Sequence, residues 1–165
     1  MRLLVVSDTH GNYQLLHRLL QSAGAFDLFI HAGDSGNDLL QLERDFPNLP
    51  RYAVAGNCDP FSRLPRELLF QVGGRRIFLT HGDRYGVKYD LLRLVLQGKE
   101  NRADLVIFGH THLPLVEASD GMLLLNPGSL SYSRGGGKHS YGWVEIGPGG
   151  INAEIRTLEQ EKERG

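Results

Sequence analysis

Five short clusters hold the residues of this chain that could do chemistry. They are Ser7-Asp8-Thr9-His10-Gly11-Asn12, Ala32-Gly33-Asp34, Gly56-Asn57-Cys58-Asp59, Thr80-His81-Gly82-Asp83 and Gly109-His110-Thr111-His112. In extended chain, residues i and i+2 project to the same side, so Asp8 and His10 could present a carboxylate oxygen and an imidazole nitrogen to one metal ion. Asp, Thr, Gly and Asn also favour turns and helix caps, so one such cluster is equally a turn. Five clusters, each directly behind an apolar run and mostly with an adjacent glycine, point to a shared site.

The elements that must position them can be read from the apolar runs. Leu3–Val6, Leu28–Ile30, Tyr52–Ala55, Ile77–Leu79 and Leu105–Phe108 read as buried strands of a sheet covered on both faces. Ligands of open α/β sheets bind at the carboxyl ends of the strands, where all five clusters fall. Tyr13–Ala23 reads as a helix with Asn12 as N-cap and Gly24 behind it, Asp38–Asp45 as a shorter one, and Tyr89–Gln97 as a third with Gly98 behind it. Three hairpins are expected: Glu67–Val72 with Arg75–Leu79, Leu115–Ala118 with Met122–Leu125, and Tyr141–Ile146 with Ile151–Leu158. Strand–helix alternation followed by antiparallel strands predicts an α/β fold of two packed sheets with helices outside. Ser131–Lys138, with three consecutive glycines, reads as the most flexible internal loop, and Glu159–Gly165 as a frayed end. No repeat or linker divides the chain, so one domain over 1–165 is expected.

Composition excludes several classes. The 165 residues can bury about 70% of the unfolded surface without staples. A formal net charge of -1 gives no electrostatic case for duplex nucleic acid or an anionic membrane. Cys58 is the one cysteine, so no internal disulfide can form. No apolar run approaches a membrane span, and the short first run, followed at once by Asp-Thr-His, is unlike a signal peptide. A cytoplasmic protein is expected.

In their order, SDTHGN, AGD, GNCD, THGD and GHTH resemble the five motifs of the calcineurin-like metallophosphoesterases. The resemblance runs from Arg2 through Asn126-Pro127-Gly128-Ser129. The short length resembles the small YfcE-type prokaryotic phosphodiesterases, a subgroup also similar to the non-enzymatic subunit of the eukaryotic retromer coat. It implies a four-layer α/β/β/α sandwich of two mixed sheets flanked by helices, and a dinuclear metal centre. Carried over by motif, Asp8, His10 and His112 would hold one divalent ion and Asn57, His81 and His110 the other, with Asp34 bridging both. Manganese is the expected metal, with Fe, Co, Ni or Zn as alternatives, because carboxylate and imidazole suit borderline ions. The implied activity is hydrolysis of a small phosphodiester by a metal-bridging hydroxide, with Asn57 and His110 in the catalytic machinery. The rival readings are a phosphomonoesterase with the same centre and a scaffold that has lost catalysis.

Two positions depart from the family pattern. Where the wider family has a histidine thought to protonate the leaving group, this chain has Cys58, as the small subgroup commonly does, and a thiol is a poor proton donor. Asp83 stands where many relatives have a histidine that is not a ligand.

Other residues keep two readings. Arg134 either binds the substrate's phosphate or is solvated. His139 either reaches substrate or a neighbouring chain, or is structural. Asp59 either orients a neighbour or caps a turn, and Tyr85 either borders the pocket or packs. His31 reads as a buried supporting residue, His17 as a surface residue, Arg75-Arg76 as a solvated hairpin end, and Asn126-Pro127-Gly128-Ser129 as a turn near the metal rim. An exposed hairpin edge makes a homodimer or homotetramer an expectation.

Overall fold

The apolar runs alternate between two cores, which is why they carry no polar face. In β1 (Arg2–Val6), Leu3 and Val5 pack into one cluster and Leu4 and Val6 into another. A strand covered on both sides has no use for alternating polarity. The computed structural model describes residues 1–131 and 138–158. The expectations for the Ser131–Lys138 loop, including Arg134, and for 159–165 therefore lie wholly or mainly outside the described residues.

After β1 come α1 (Tyr13–Ser22), β2 (Leu28–His31), α2 (Asp38–Asp45), β3 (Arg51–Ala53), β4 (Glu67–Val72) and β5 (Arg75–Thr80). A short 3₁₀ turn follows at Asp83–Tyr85, then α3 (Leu92–Glu100), β6 (Leu105–Ile107), β7 (Pro114–Ser119), β8 (Met122–Pro127), β9 (Ser140–Gly147) and β10 (Gly150–Thr157). The strands form two five-stranded mixed sheets, in the orders β10-β9-β1-β2-β3 and β4-β5-β6-β8-β7. Parallel pairing joins β1, β2 and β3 in the first sheet and β5, β6 and β8 in the second.

Three apolar clusters bind four layers. Leu3, Val5 and Ile30 of the first sheet meet Ile77, Leu79, Ile107 and Leu125 of the second in the central one. Leu4, Val6 and Phe29 pack on Leu16 and Leu19 of α1 and Leu42 of α2. Phe78, Val106 and Leu124 pack on Leu94 of α3. The result is the α/β/β/α sandwich of two mixed sheets with flanking helices. Parallel register sets Val6 beside His31, and Ile107 beside both Leu79 and Leu125. The loops that leave these strands therefore emerge at one end of each sheet.

Several local expectations need correction. The third run is not a buried strand over Tyr52–Ala55. Pairing stops at Ala53, only β2 flanks it, and Tyr52 is half out in solvent, stacked on Phe70 at 4.1 Å between ring centroids. Helix α3 starts at Leu92 rather than Tyr89, because the Asp90 carboxylate accepts the Leu92 N–H at 2.9 Å and sets the turn before it. It also runs through Gly98 instead of stopping there. A Cβ on Gly98 would lie 2.7 Å from Met122 Sδ and 2.8 Å from a Val106 methyl, so the glycine marks a close helix–sheet approach, not a cap. Asn126 and Pro127 end β8 and only Gly128, at φ +79°, begins the turn. His17 is half-buried between the rings of Tyr13 and Phe46. Helix α1 has the expected N-cap, Asn12, whose side chain accepts the Leu15 N–H.

Candidate metal centre

Each strand-end cluster is tied to its neighbours through backbone. The loop after β1 bonds to the loop after β2, Asp8 N to Gly33 O and His10 N to Asp34 O, both at 3.0 Å. The loop after β6 bonds to the loop after β5, Gly109 N to His81 O at 3.0 Å. The sheets are joined where His81 Nδ1–H donates to Ala32 O at 2.7 Å and His110 N–H donates to Asp8 Oδ2 at 3.1 Å. Donation from Nδ1 fixes the His81 tautomer and leaves Nε2 facing the site.

The side chains converge in two groups. Ligand atoms of Asp8, His10 and His112 all lie within 4.8 Å of one another, and so do those of Asp34, His81 and His110. Asn57 joins the second group, its Oδ1 3.1 Å from His81 Nε2. Asp34 Oδ2 reaches both, 3.3 Å from His81 Nε2 and 3.8 Å from His10 Nε2. Cys58 is exposed, and its Sγ lies within 4.8 Å of ligand atoms on His10 and Asp34.

Whether this set suits a cation is decided at Asp8. Its Oδ2 is satisfied by the Ser7 hydroxyl at 2.6 Å and by His110 N–H. Its Oδ1 is fully buried and makes no hydrogen bond to any described residue. Around it stand Nε2 of His112 at 3.0 Å, of His10 at 3.6 Å and of His81 at 3.9 Å. Nε2 atoms of His10 and His112 face each other at 3.3 Å. Lone-pair donors turned toward one another around an orphaned carboxylate oxygen fit one or more borderline divalent ions.

The surrounding backbone is built for the same purpose. Seven non-glycine residues have positive φ in the described chain, and Asp8, His10, Asp34, His110 and His112 are five of them. Such conformations cost on the order of 1–3 kcal/mol each and persist where the structure over-determines them. Glycines make the room: a Cβ on Gly56 would sit 2.0 Å from Asp34 Oδ1, and one on Gly109 2.8 Å from Asp8 Oδ2.

Proton affinities follow from the crowding. Burial works to raise the Asp8 carboxyl, but the imidazoles of His10 and His112 outweigh it and hold it far below the usual range. Burial likewise opposes, and His81 overcomes, a lowering at Asp34. Asp8 raises His10. At His81 burial pulls down and Asp34 and Asp8 pull up more strongly. Burial and then the His81 charge lower His110. The Cys58 thiol is pushed up by burial and by Asp34.

The supporting residues were only partly visible in the sequence. His31 is fully buried, accepts the Gly33 N–H on Nδ1 at 3.1 Å, and meets Thr9 Oγ1 from Nε2 at 3.0 Å. Since Nδ1 accepts, Nε2–H donates, and His31 ties the first loop to the second. Burial brings its pKa down to about 4. Asp59 is no simple turn cap: its carboxylate accepts the N–H groups of Ser35 at 3.2 Å, Gly36 at 2.9 Å and Gly56 at 2.9 Å. Asn126 donates to Gly109 O and Thr111 Oγ1, and Ser129 and Ser131 donate to Asp8 O. Only the three-dimensional path of the backbone identifies these. Tyr85 bonds Glu67 at 2.6 Å and packs on Phe78, and Arg75 and Arg76 are engaged by Asp104 and Asn101 O.

Comparison with known proteins agrees with this geometry. A sequence profile described as the Calcineurin-like phosphoesterase superfamily domain matches residues 1–148. The probable metallophosphoesterase YsnB of Bacillus subtilis is 40% identical over 136 residues, covering 81% of this chain and 78% of YsnB. The phosphodiesterase YfcE of Escherichia coli is 29% identical over 170 residues, 88% of each chain, and its structure superposes with a TM-score of 0.66 at 27% identity over 88% of each. Vps29 of Entamoeba histolytica in complex with zinc shares the fold, at TM-score 0.73 and 23% identity over 95% of this chain and 99% of Vps29.

Proposed function

The chain belongs to the calcineurin-like phosphoesterase superfamily, and from that premise we propose that it is a metal-dependent phosphodiesterase with a dinuclear centre. The observation that carries this reading is the Asp34 carboxylate, whose Oδ2 lies within 3.8 Å of imidazoles from both ligand groups. A carboxylate so placed can hold two like charges close together. Asp8, His10 and His112 would hold one ion, Asn57, His81 and His110 the other, and manganese suits the donor set. When bound, the pair supplies Lewis acidity toward phosphoryl oxygens and makes water acidic enough to be a nucleophile near neutral pH.

The protein's own groups do the rest. His81, fixed through Nδ1 by Ala32 O, and Asp8, fixed through Oδ2, keep their remaining donor atoms aimed at the site. The exposed Asn57 amide and the half-buried His110 imidazole stand at the rim where a phosphoryl oxygen enters. Cys58, whose Sγ lies 3.5 Å from Asn57 Nδ2, stands by motif where the leaving-group acid would be. A thiol with a raised pKa gives up its proton poorly, so leaving groups that depart as anions are favoured.

The deciding experiment measures metal content of gently purified protein beside turnover of bis(p-nitrophenyl) phosphate and p-nitrophenyl phosphate, before and after chelation. Diester turnover lost on chelation and restored by Mn²⁺ supports the reading. Faster monoester turnover makes it a phosphomonoesterase. No turnover of either ester with both ions bound leaves a scaffold.

A further inference from the structure

Beside the metal centre lies a cleft of about 860 Å³ that the chemistry above does not use. Its walls come from three segments: Leu39 and Leu40 of α2, Arg51 of β3, and Cys58, Phe61 and Arg63 of the loop that follows β3. It adjoins the centre, because the Cys58 in its wall also lies within 4.8 Å of ligand atoms on His10 and Asp34. The loop that shapes it is held at its base by Asp59, through the N–H groups of Ser35, Gly36 and Gly56.

Two features indicate what it takes. Phe61 is 97% exposed and Leu40 59% exposed, so a whole aromatic face and a branched side chain stand in water beside a polar site. Of the two arginines, Arg51 is already engaged, 3.4 Å from Glu43 Oε1 and donating to Leu49 O at 3.3 Å. Arg63 is exposed and makes no hydrogen bond or ion pair with any described residue, so its five donors remain available. An exposed ring and a free planar donor set together match a flat ligand with carbonyl acceptors on its edge. An alkyl arm would use neither.

We propose that this cleft receives one esterifying arm of the phosphodiester, and that this arm carries a nucleobase-like ring that stacks on Phe61 while Arg63 donates to its acceptors. The proposal rests on the diesterase reading for the word diester, but the cleft is built from protein atoms alone. Stacking of a base on an aromatic side chain corresponds to roughly five- to hundredfold in affinity.

The test is isothermal titration calorimetry with two phosphonate monoester anions whose alkoxide leaving groups depart slowly, thymidine 5′-methylphosphonate and ethyl methylphosphonate, on metal-loaded and on chelator-treated protein, with product formation checked after each titration. The ring-bearing probe should bind about tenfold more tightly than the ethyl probe in both preparations. Phe61→Ala should reduce that ratio to twofold or less, and Arg63→Ala should reduce it by at least threefold. Leu96→Ala, an exposed apolar residue on α3 outside the cleft, should keep it. Both cleft residues are at the surface, and thermal unfolding and metal content check that the variants are intact. Equal binding of the two probes, or a ratio that survives Phe61→Ala, overturns the proposal. Turnover of bis(p-nitrophenyl) phosphate is measured in parallel: a ring preference without turnover refutes the diesterase and keeps the cleft, and turnover without ring preference does the reverse.

Discussion

At the scale of single residues, Asp34 and Cys58 make the sharpest predictions. Asp34 Oδ2 reaches imidazoles of both groups while Oδ1 accepts the Cys58 N–H at 2.8 Å. Asp34→Asn keeps the shape and removes the charge that both ions of the proposed centre would share. Activity should fall at least as far as in His10→Ala or His81→Ala, with near-UV circular dichroism retained and metal stoichiometry reduced. A variant that holds two ions and turns over normally removes Asp34 from the bridge. In the proposed mechanism Cys58 faces the leaving group. Without a good acid the departing oxygen leaves as an anion, which phenols do easily and alkoxides do not. Cys58→His should restore part of a contribution that is typically 10²–10⁴-fold, for alkyl esters and not for nitrophenyl esters. The measurement is the slope of log(kcat/KM) against leaving-group pKa. Equal slopes in both proteins, with metal bound, would place the proton donor elsewhere.

At the scale of elements, the loops after β1, β2 and β3 behave as one unit. Asp59 satisfies three backbone donors of two loops, and hydrogen bonds to a charged group contribute about 1.5–3 kcal/mol each before non-additivity. Asp59→Ala should therefore cost about 2–4 kcal/mol in urea unfolding and weaken metal binding, although Asp59 is in neither group of ligand atoms. His31 at the end of β2 makes stability depend on pH. Its folded pKa of about 4 lies below the ordinary 6.5, so the folded protein holds it neutral. That contribution is complete above pH 6.5 and is lost as pH falls from 6.5 to 4, about 3 kcal/mol in all. His10 and His81, with raised pKa values, act in the opposite direction in metal-free protein. The difference between wild type and His31→Gln isolates the effect. In chelator-treated protein their unfolding free energies should converge as the pH is lowered from 7 to 4.5, and a constant gap would refute it.

At the scale of the whole molecule, the proposed ligands come from both sheets, so metal binding should brace the sandwich. Asp8, His10 and Asp34 follow strands of the first sheet, and His81, His110 and His112 follow strands of the second. Saturating Mn²⁺ should raise the thermal midpoint by several degrees, and Mg²⁺, which prefers oxygen donors, should raise it less and activate weakly. The Mn²⁺ effect should shrink below pH 6, where protons compete for the imidazoles. Scanning calorimetry at fixed metal concentration reads both, and an equal shift with either ion would argue against an imidazole-rich site. Among the described residues no helix is long and apolar enough to cross a membrane, in keeping with the apolar runs read from the sequence. Much was legible in that sequence because it depends on local patterning. Continuous apolar runs of three or four residues, each followed by a cluster of polar residues and glycine, suit strands buried on both faces that end in loops, and four of the five runs are buried in this way. Helix α2 and the hairpin of β4 and β5 follow from residue order alone. What needed the tertiary structure was contact between residues remote in sequence. Gly98 reads as a stop until Met122 and Val106 are seen against it, and Tyr52 reads as buried until β3 is seen at an edge. Asp59 reads equally as orienting a neighbour or capping a turn until the loops of β2 and β3 meet on its carboxylate, and the cleft at Phe61 exists only where α2, β3 and that loop come together. Periodicity and turn chemistry are written along the chain, whereas the orphaned oxygen of Asp8 and the approach of three imidazoles to it arise only when two sheets close on each other.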